Sequence, residues 1–166
     1  MSSQRVFNVL FICTSNSSRS IMAESILNGI RNPHFRAFSA GSHPKGEVNP
    51  NALKFLSMNR LPTEGLRSKD WSELSGPNAP DLDFVFTVCD KAAGEVCPVW
   101  PGQPLTAHWG VEEPSVKDGE SKTIEQKYLE VATVLRRRIE LLLALPVEKL
   151  DRVALQKSLT DIGKVL

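Results

Sequence analysis

VLFICTSNSSRSIMAE, residues 9–24, is the stretch that decides the fold. It sits in a longer apolar run, residues 6–12 (VFNVLFI), that shows little alternation of polar and apolar side chains. A strand covered on one face alternates, whereas a nearly continuous apolar run suits a strand covered on both. The run stops at Cys13, and a polar loop fills residues 13–18. Met22, Ile26 and Ile30 then recur at every fourth residue beside Ala23 and Leu27, which is the period of a helix. A buried strand, a tight polar loop and a helix form the opening unit of an α/β fold.

The remaining chain repeats this alternation. Asn32-Pro33 stops the first helix, residues 36–40 form a short second strand, and Gly41-Ser42 begins a turn. Residues 50–58 read as a helix with Pro50 in its first turn, and residues 68–74 as a short one. SGPNAP (75–80) is a loop, and LDFVFTV (82–88) is a third buried strand. Residues 89–103, rich in Gly and Pro, read as loop, and residues 105–108 as a fourth short strand. Residues 112–121 are polar loop. Ile124, Tyr128, Val131, Leu135, Ile139 and Leu142 then mark a helix over 124–145, with Pro146 ending it and a last helix over 150–162. Arg136, Arg137 and Arg138 are expected on its outward face. Strands alternating with helices imply parallel pairing. The expected organisation is one domain over 1–146 with a helical extension, 147–166, packed on it.

The composition narrows the function classes. A length of 166 residues suits one domain, and a net charge of +1 gives no bulk attraction to nucleic acid or membrane. No apolar run reaches the roughly 20 residues that span a bilayer. Residues 1–5 are polar and lack a signal-peptide pattern, so the cytoplasm is the expected compartment. Thiols are reduced there by default, and three cysteines, Cys13, Cys89 and Cys97, make a poor disulfide framework. They are either small buried apolar residues or working thiols. His34, His43 and His108 share no ligand spacing with them, so no metal site is expected.

Cys13 closes the first strand and Arg19 opens the helix after it. In an open parallel sheet, ligands bind beyond the carboxyl ends of the strands. A helix N-terminus there offers unpaired N–H groups and a positive dipole end, which suit an anion. Thr14, Ser15, Asn16, Ser17 and Ser18 are small enough to wrap a tetrahedral oxyanion, and Arg19 adds a bidentate fork. The same field favours a thiolate on Cys13, drawing it below the roughly 8.5 of a free thiol, and Ser20 can donate to its sulfur. Nucleophile, anion cradle and charge clamp thus form one unit.

CTSNSSRS resembles the phosphate-binding loop of the low-molecular-weight protein tyrosine phosphatase family and its arsenate reductase branch. SAGSHPKGEVNPNAL, LRSKDW, DFVFTVCDKAAGEVCPVWPG and HWGVEEPS resemble the arsenate reductase branch, the last two most specifically, so the likeness spans nearly the whole chain. The resemblance implies a flavodoxin-like three-layer sandwich with a four-stranded parallel sheet. It also implies a thiol relay. Cys13 attacks arsenate, Cys89 resolves the arsenylated sulfur, and Cys97 carries the disulfide outward. No cofactor is tightly bound, and an external thiol reductant (glutathione with glutaredoxin, or thioredoxin) resets the enzyme. Cys89 follows the third strand and so shares the sheet edge with Cys13, although ordinary burial would also explain it. A helix between Cys89 and Cys97 would hold their Cα atoms about 12 Å apart. A bridge needs less than about 7 Å, and therefore a looped or unwound segment.

Three positions depart from the family pattern. The phosphatase branch has Asp-Pro where this chain has Glu113-Pro114. Glu113 is either a general acid one methylene longer or, with Glu112, a solvated loop carboxylate. Ser15 replaces a usual Gly, which costs on the order of 1 kcal/mol if the position needs positive φ. Ser18 stands where some reductases carry a cysteine, so no relay runs inside the loop. Trp100 and Trp109 are expected to pack in the core near the sheet end. Three functions stay open at this point: arsenate reduction, phosphatase action through a phosphocysteine, and non-catalytic oxyanion binding.

Overall fold

The computed structural model describes residues 5–95 and 98–166. Four strands, β1 (Phe7–Cys13), β2 (Phe35–Gly41), β3 (Phe84–Thr87) and β4 (Leu105–His108), form one parallel sheet in the order β2-β1-β3-β4. The helices are α1 (Arg19–Ile30), α2 (Pro50–Met58), the single turn α3 (Asp90–Ala93), α4 (Ile124–Ala144) and α5 (Arg152–Ile162). Val9 through Cys13 are all buried, alternate side chains pointing to opposite faces, so helices cover the central strand on both sides as in the flavodoxin-like sandwich. α1 packs on β1 and β2, α5 packs on β4, and α4 touches α1, α2 and α5.

Element ends follow local chemistry. Asn49 caps α2 by accepting from the Asn51 N–H, and Pro50 takes the first helical position, where its missing N–H costs nothing. Thr123 and Gln126 form a reciprocal capping box on α4, and Asp151 caps α5. The structure trims three expectations. Residues 68–74 form only a 3-10 turn, Trp71–Leu74, capped by Asp70. The third strand is four residues rather than seven, because Asp83 and Val88 bond β1 through single backbone contacts outside the ladder. The segment expected as loop from residue 89 opens with α3, a turn whose first residue follows Cys89.

Arg138 is a larger correction. It was expected on the solvated face of α4, but only 2% of it is exposed. Its guanidinium fills three main-chain carbonyls, those of Trp109 (2.7 Å), Gly110 (3.0 Å) and Val165 (2.9 Å). Three consecutive arginines exceed what a helix can turn to one side, since 100° separates neighbours. Trp109 is fully buried, stacks on Phe86 with centroids 3.7 Å apart, and donates Nε1–H to the Leu159 carbonyl, which ties β4 to α5. Trp100 is buried against Trp71.

The chain leaves β1 toward β2 on one side and returns on the other to form β3. The β1/β3 junction is therefore the topological switch point, where an open α/β sheet has its crevice. Cys13 ends β1 and Cys89 lies two residues beyond β3.

Candidate active site

The loop between β1 and α1 is held from outside by its carbonyls. Thr14 O accepts from His43 N–H (2.8 Å), Ser15 O from Lys45 N–H (3.1 Å) and from Ser68 Oγ (3.1 Å), and Ser17 O from Asn49 N–H (2.9 Å). Among the described residues, no protein acceptor takes the N–H groups of Asn16, Ser17, Ser18 or Arg19. With carbonyls outward and N–H groups unclaimed, the loop presents donors at the N-terminus of a twelve-residue helix. Ser18 caps α1 without a side-chain bond to it, which leaves those donors to a ligand.

Asn16 organises the bend. It adopts φ +46°, a left-handed conformation that asparagine tolerates, and Ser15 does not need it, so the penalty foreseen for Ser15 does not arise. The buried Asn16 amide donates to Ser20 Oγ (2.8 Å) and Ser39 Oγ (3.1 Å) and accepts from Lys69 N–H (2.9 Å). Ser39 in turn donates to Glu24, whose carboxyl is pushed up by burial. Gly41 lets this loop lie against β2, because a Cβ there would sit 2.6 Å from Thr14 O and 2.9 Å from Asn16 Cβ.

Cys13, Ser15, Ser17, Ser18, Arg19 and Glu113 border one cavity of about 180 Å³, with Tyr128, Asn49, Asn51 and Lys45 completing its wall. Thr14, Asn16 and Ser20, expected in the cradle, are not on its surface. Thr14 turns toward Cys89 (Oγ1 to Sγ 3.5 Å), and Asn16 and Ser20 lie beneath the loop. Ser20 thus bonds Asn16, and the side chain that acts most on the Cys13 sulfur is Cys89. Arg19 Nη1 donates to the Val111 carbonyl (3.1 Å), which fixes the guanidinium beside Cys13. Cys97 lies outside the described residues.

The two sulfurs titrate together. The neighbouring Cys13 thiol draws Cys89 down to about 5; burial opposes this, and Thr14 and the Ala92 N–H add to it. Cys89 and burial push Cys13 up, the reverse of the lowering expected from the loop's field, because they outweigh Arg19 and the Ser15 N–H, which pull it down. At neutral pH one proton is thus shared across the pair and one sulfur is ionised. Moving that proton to Cys89 leaves a Cys13 thiolate facing the cavity.

Sequence reasoning missed Tyr128 and Arg138. Tyr128 is the chain's one tyrosine and occupies a core position of the α4 stripe, where its ring packs on Phe55 and its hydroxyl bonds Ser18 Oγ at 2.9 Å. A phenol inside an apolar stripe was the available signal. Among the described residues no helix is long and apolar enough to cross a membrane, and no three metal-ligating side chains cluster.

A parallel sheet with a cysteine and an arginine flanking a bay of amides at its switch point defines a cysteine-dependent oxyanion site on an α/β scaffold. Residues 8–156 match the family model for low molecular weight phosphotyrosine protein phosphatase, and the chain belongs to that family. It is 33% identical to an arsenate reductase of Shouchella clausii over 73% of this chain and 81% of that one. It is also similar to an arsenate reductase solved in its phosphate-binding state (27% identity, TM-score 0.67, covering 84% and 98%). A thioredoxin-dependent arsenate reductase of Corynebacterium glutamicum shares 26% identity, TM-score 0.60, over 89% of this chain and 66% of that one. Within the family the chain falls in the arsenate reductase branch, and it is an enzyme with a phosphatase-like fold.

Proposed function

We propose that the chain reduces arsenate to arsenite through a thiol relay. The observation that carries this reading is that Cys89, beyond the neighbouring strand and within 3.5 Å of Thr14 Oγ1, lies close enough to Cys13 for each sulfur to shift the other's titration. A phosphatase needs one thiol at this place, and a reductase needs two. Arsenate occupies the bay, held by the loop N–H groups with Ser15, Ser17 and Ser18, and clamped by Arg19. The Cys13 thiolate attacks arsenic, an As–S bond forms, and an arsenate hydroxyl takes one proton, for which Glu113 on the cavity wall is the donor, and leaves as water. Cys89 then loses its proton and attacks the Cys13 sulfur. The S–S bond forms as the As–S bond breaks, its electron pair goes to arsenic, and arsenic(V) departs as arsenite. Cys97 attacks Cys89, frees Cys13 and presents the disulfide to the donor. A thioredoxin-type protein is the favoured donor, in line with the thioredoxin-dependent relative, and glutathione with glutaredoxin is the alternative.

Phosphoryl transfer is the second reading, favoured by the carboxylate of Glu113 on the same cavity as Cys13. It shares the first attack, and water replaces Cys89 in the second. Arsenate-dependent oxidation of reduced thioredoxin, measured beside hydrolysis of an aryl phosphate, separates the two. Turnover with arsenate supports the relay; hydrolysis without arsenate-dependent thiol oxidation overturns it. Sulfate binding with neither activity would leave an oxyanion-binding protein.

A further inference from the structure

Arg138 is a cation in the protein interior whose partners are all neutral. Its contacts are the carbonyls of Trp109, Gly110 and Val165, and among the described residues no carboxylate lies within ion-pair distance. Such burial is costly, and it is offset here by three main-chain carbonyls that an apolar side chain would leave without a donor. The next carbonyl along the chain links this arrangement to the active site. Val111 O accepts from Arg19 Nη1, so the carbonyls of residues 109, 110 and 111 are taken in succession by two guanidinium groups. The N–H groups of Trp109 and Val111 bond Thr87 O and Val88 O, which fixes where this segment runs. The Val111 N–H fixes the Gly110–Val111 peptide, so the Trp109–Gly110 peptide, whose N–H bonds none of the described residues, is the unit held through its carbonyl.

We propose that Arg138 is a positioning residue for Arg19. By holding the Trp109 and Gly110 carbonyls, it anchors the chain immediately before Val111, whose own carbonyl, in the next peptide unit, holds the Arg19 guanidinium beside Cys13. This rests on the reading of Arg19 as the oxyanion clamp. Removing Arg138 leaves three carbonyls without their donor and lets the Trp109–Gly110 peptide turn, so Val111 shifts and Arg19 loses its aim while the bay itself stays intact. A second cavity of about 260 Å³ is bordered by Arg138, Val111 and Glu113, and truncating the side chain in Arg138→Ala would extend it into the vacated place.

The test uses Arg138→Met, Arg138→Lys and Arg138→Ala in the full chain, with Arg136→Met on the same helix as control. Calorimetric titration with sulfate should show affinity weakened roughly tenfold in Arg138→Met and kcat/KM for arsenate reduced at least as far, a size typical of a misaimed clamp. Arg138→Lys should recover part of the loss, Arg136→Met should match wild type, and added guanidinium ion should restore both sulfate binding and turnover in Arg138→Ala. A folded Arg138→Met with wild-type sulfate affinity, or guanidinium that raises only the melting temperature of Arg138→Ala, overturns the proposal. If Arg138→Met does not fold, unchanged sulfate affinity in Arg138→Lys together with failed guanidinium rescue overturns it instead. Wild type that binds neither sulfate nor arsenate defeats the oxyanion reading and this one with it. Wild-type binding that is lost in Arg19→Lys and kept in Arg138→Met defeats this one alone.

Discussion

Two loops leave neighbouring strands at the same edge of the sheet, each led by a cysteine, and they are built to opposite specifications. The loop after β1 is pinned by three outer segments through its carbonyls, braced beneath by the buried Asn16 amide, and continued into the twelve-residue α1. The segment after β3 enters the single turn α3, which has no side-chain cap. Its ties among the described residues include the Thr14 contacts to Cys89 and Glu95, the Ser42 hydroxyl (2.6 Å) and His43 ring on Glu95, and the exposed His108–Asp90 pair. Exposed pairs contribute little, and a single helical turn opens at lower cost than a twelve-residue helix. The difference suits the proposed relay, in which gripping an anion calls for a rigid frame and passing a disulfide calls for a thiol that is easily released.

The sharpest break of this comparison comes from exchanging the two sulfurs. Cys13→Ser should abolish both arsenate turnover and aryl phosphate hydrolysis, by about a thousandfold or more, with sulfate still bound. Cys89→Ser should abolish multiple turnover of arsenate and leave any aryl phosphate hydrolysis intact; continued arsenate turnover in that variant would place the relay elsewhere. Glu113→Gln should lower both activities by about a hundredfold, the usual size of a lost general acid, while sulfate affinity holds; unchanged rates would make Glu113 a solvated carboxylate.

Acidity sharpens the contrast further. With Cys89 drawn down to about 5, one sulfur of the pair remains a thiolate at pH 6, and alkylation there should be fast in wild type. Cys13→Ala removes the main stabiliser of that thiolate, so the Cys89 midpoint should climb and its alkylation at pH 6 should slow. An unmoved midpoint would show that the two sulfurs do not share a proton. The smallest effect is expected from Tyr128→Phe, which deletes the bond to Ser18. It should cost about 1 kcal/mol of stability by denaturant titration and change sulfate affinity only a few-fold.

Much of this molecule was legible in the chain. Pro50–Met58 and Leu105–His108 have the bounds their residues imply, because proline, asparagine and glycine punctuate them locally. The Cys13–Arg19 bay was legible for the same reason, since its strand, loop and helix are contiguous. Arg138 was not, because its partners lie 27 to 29 residues away and helical periodicity alone turns it toward water. The roles within the loop were also hidden. Thr14, Asn16 and Ser20 look equivalent to Ser15, Ser17 and Ser18 on paper, and only the packing of β2 and the segment near Lys69 against the loop sorts them into those beneath and those facing the cavity.

By itself the sequence determined what is local: an apolar strand, a small-residue turn, a helix start, and a sulfur and a guanidinium six residues apart. Tertiary structure alone decided what is distant: that Cys89 meets Cys13, that Tyr128 meets Ser18, and that Arg138 stands behind Arg19. The physical reason is reach. Propensity and dipole act over a turn or two, whereas shared protons and satisfied buried carbonyls depend on which strands the sheet places side by side.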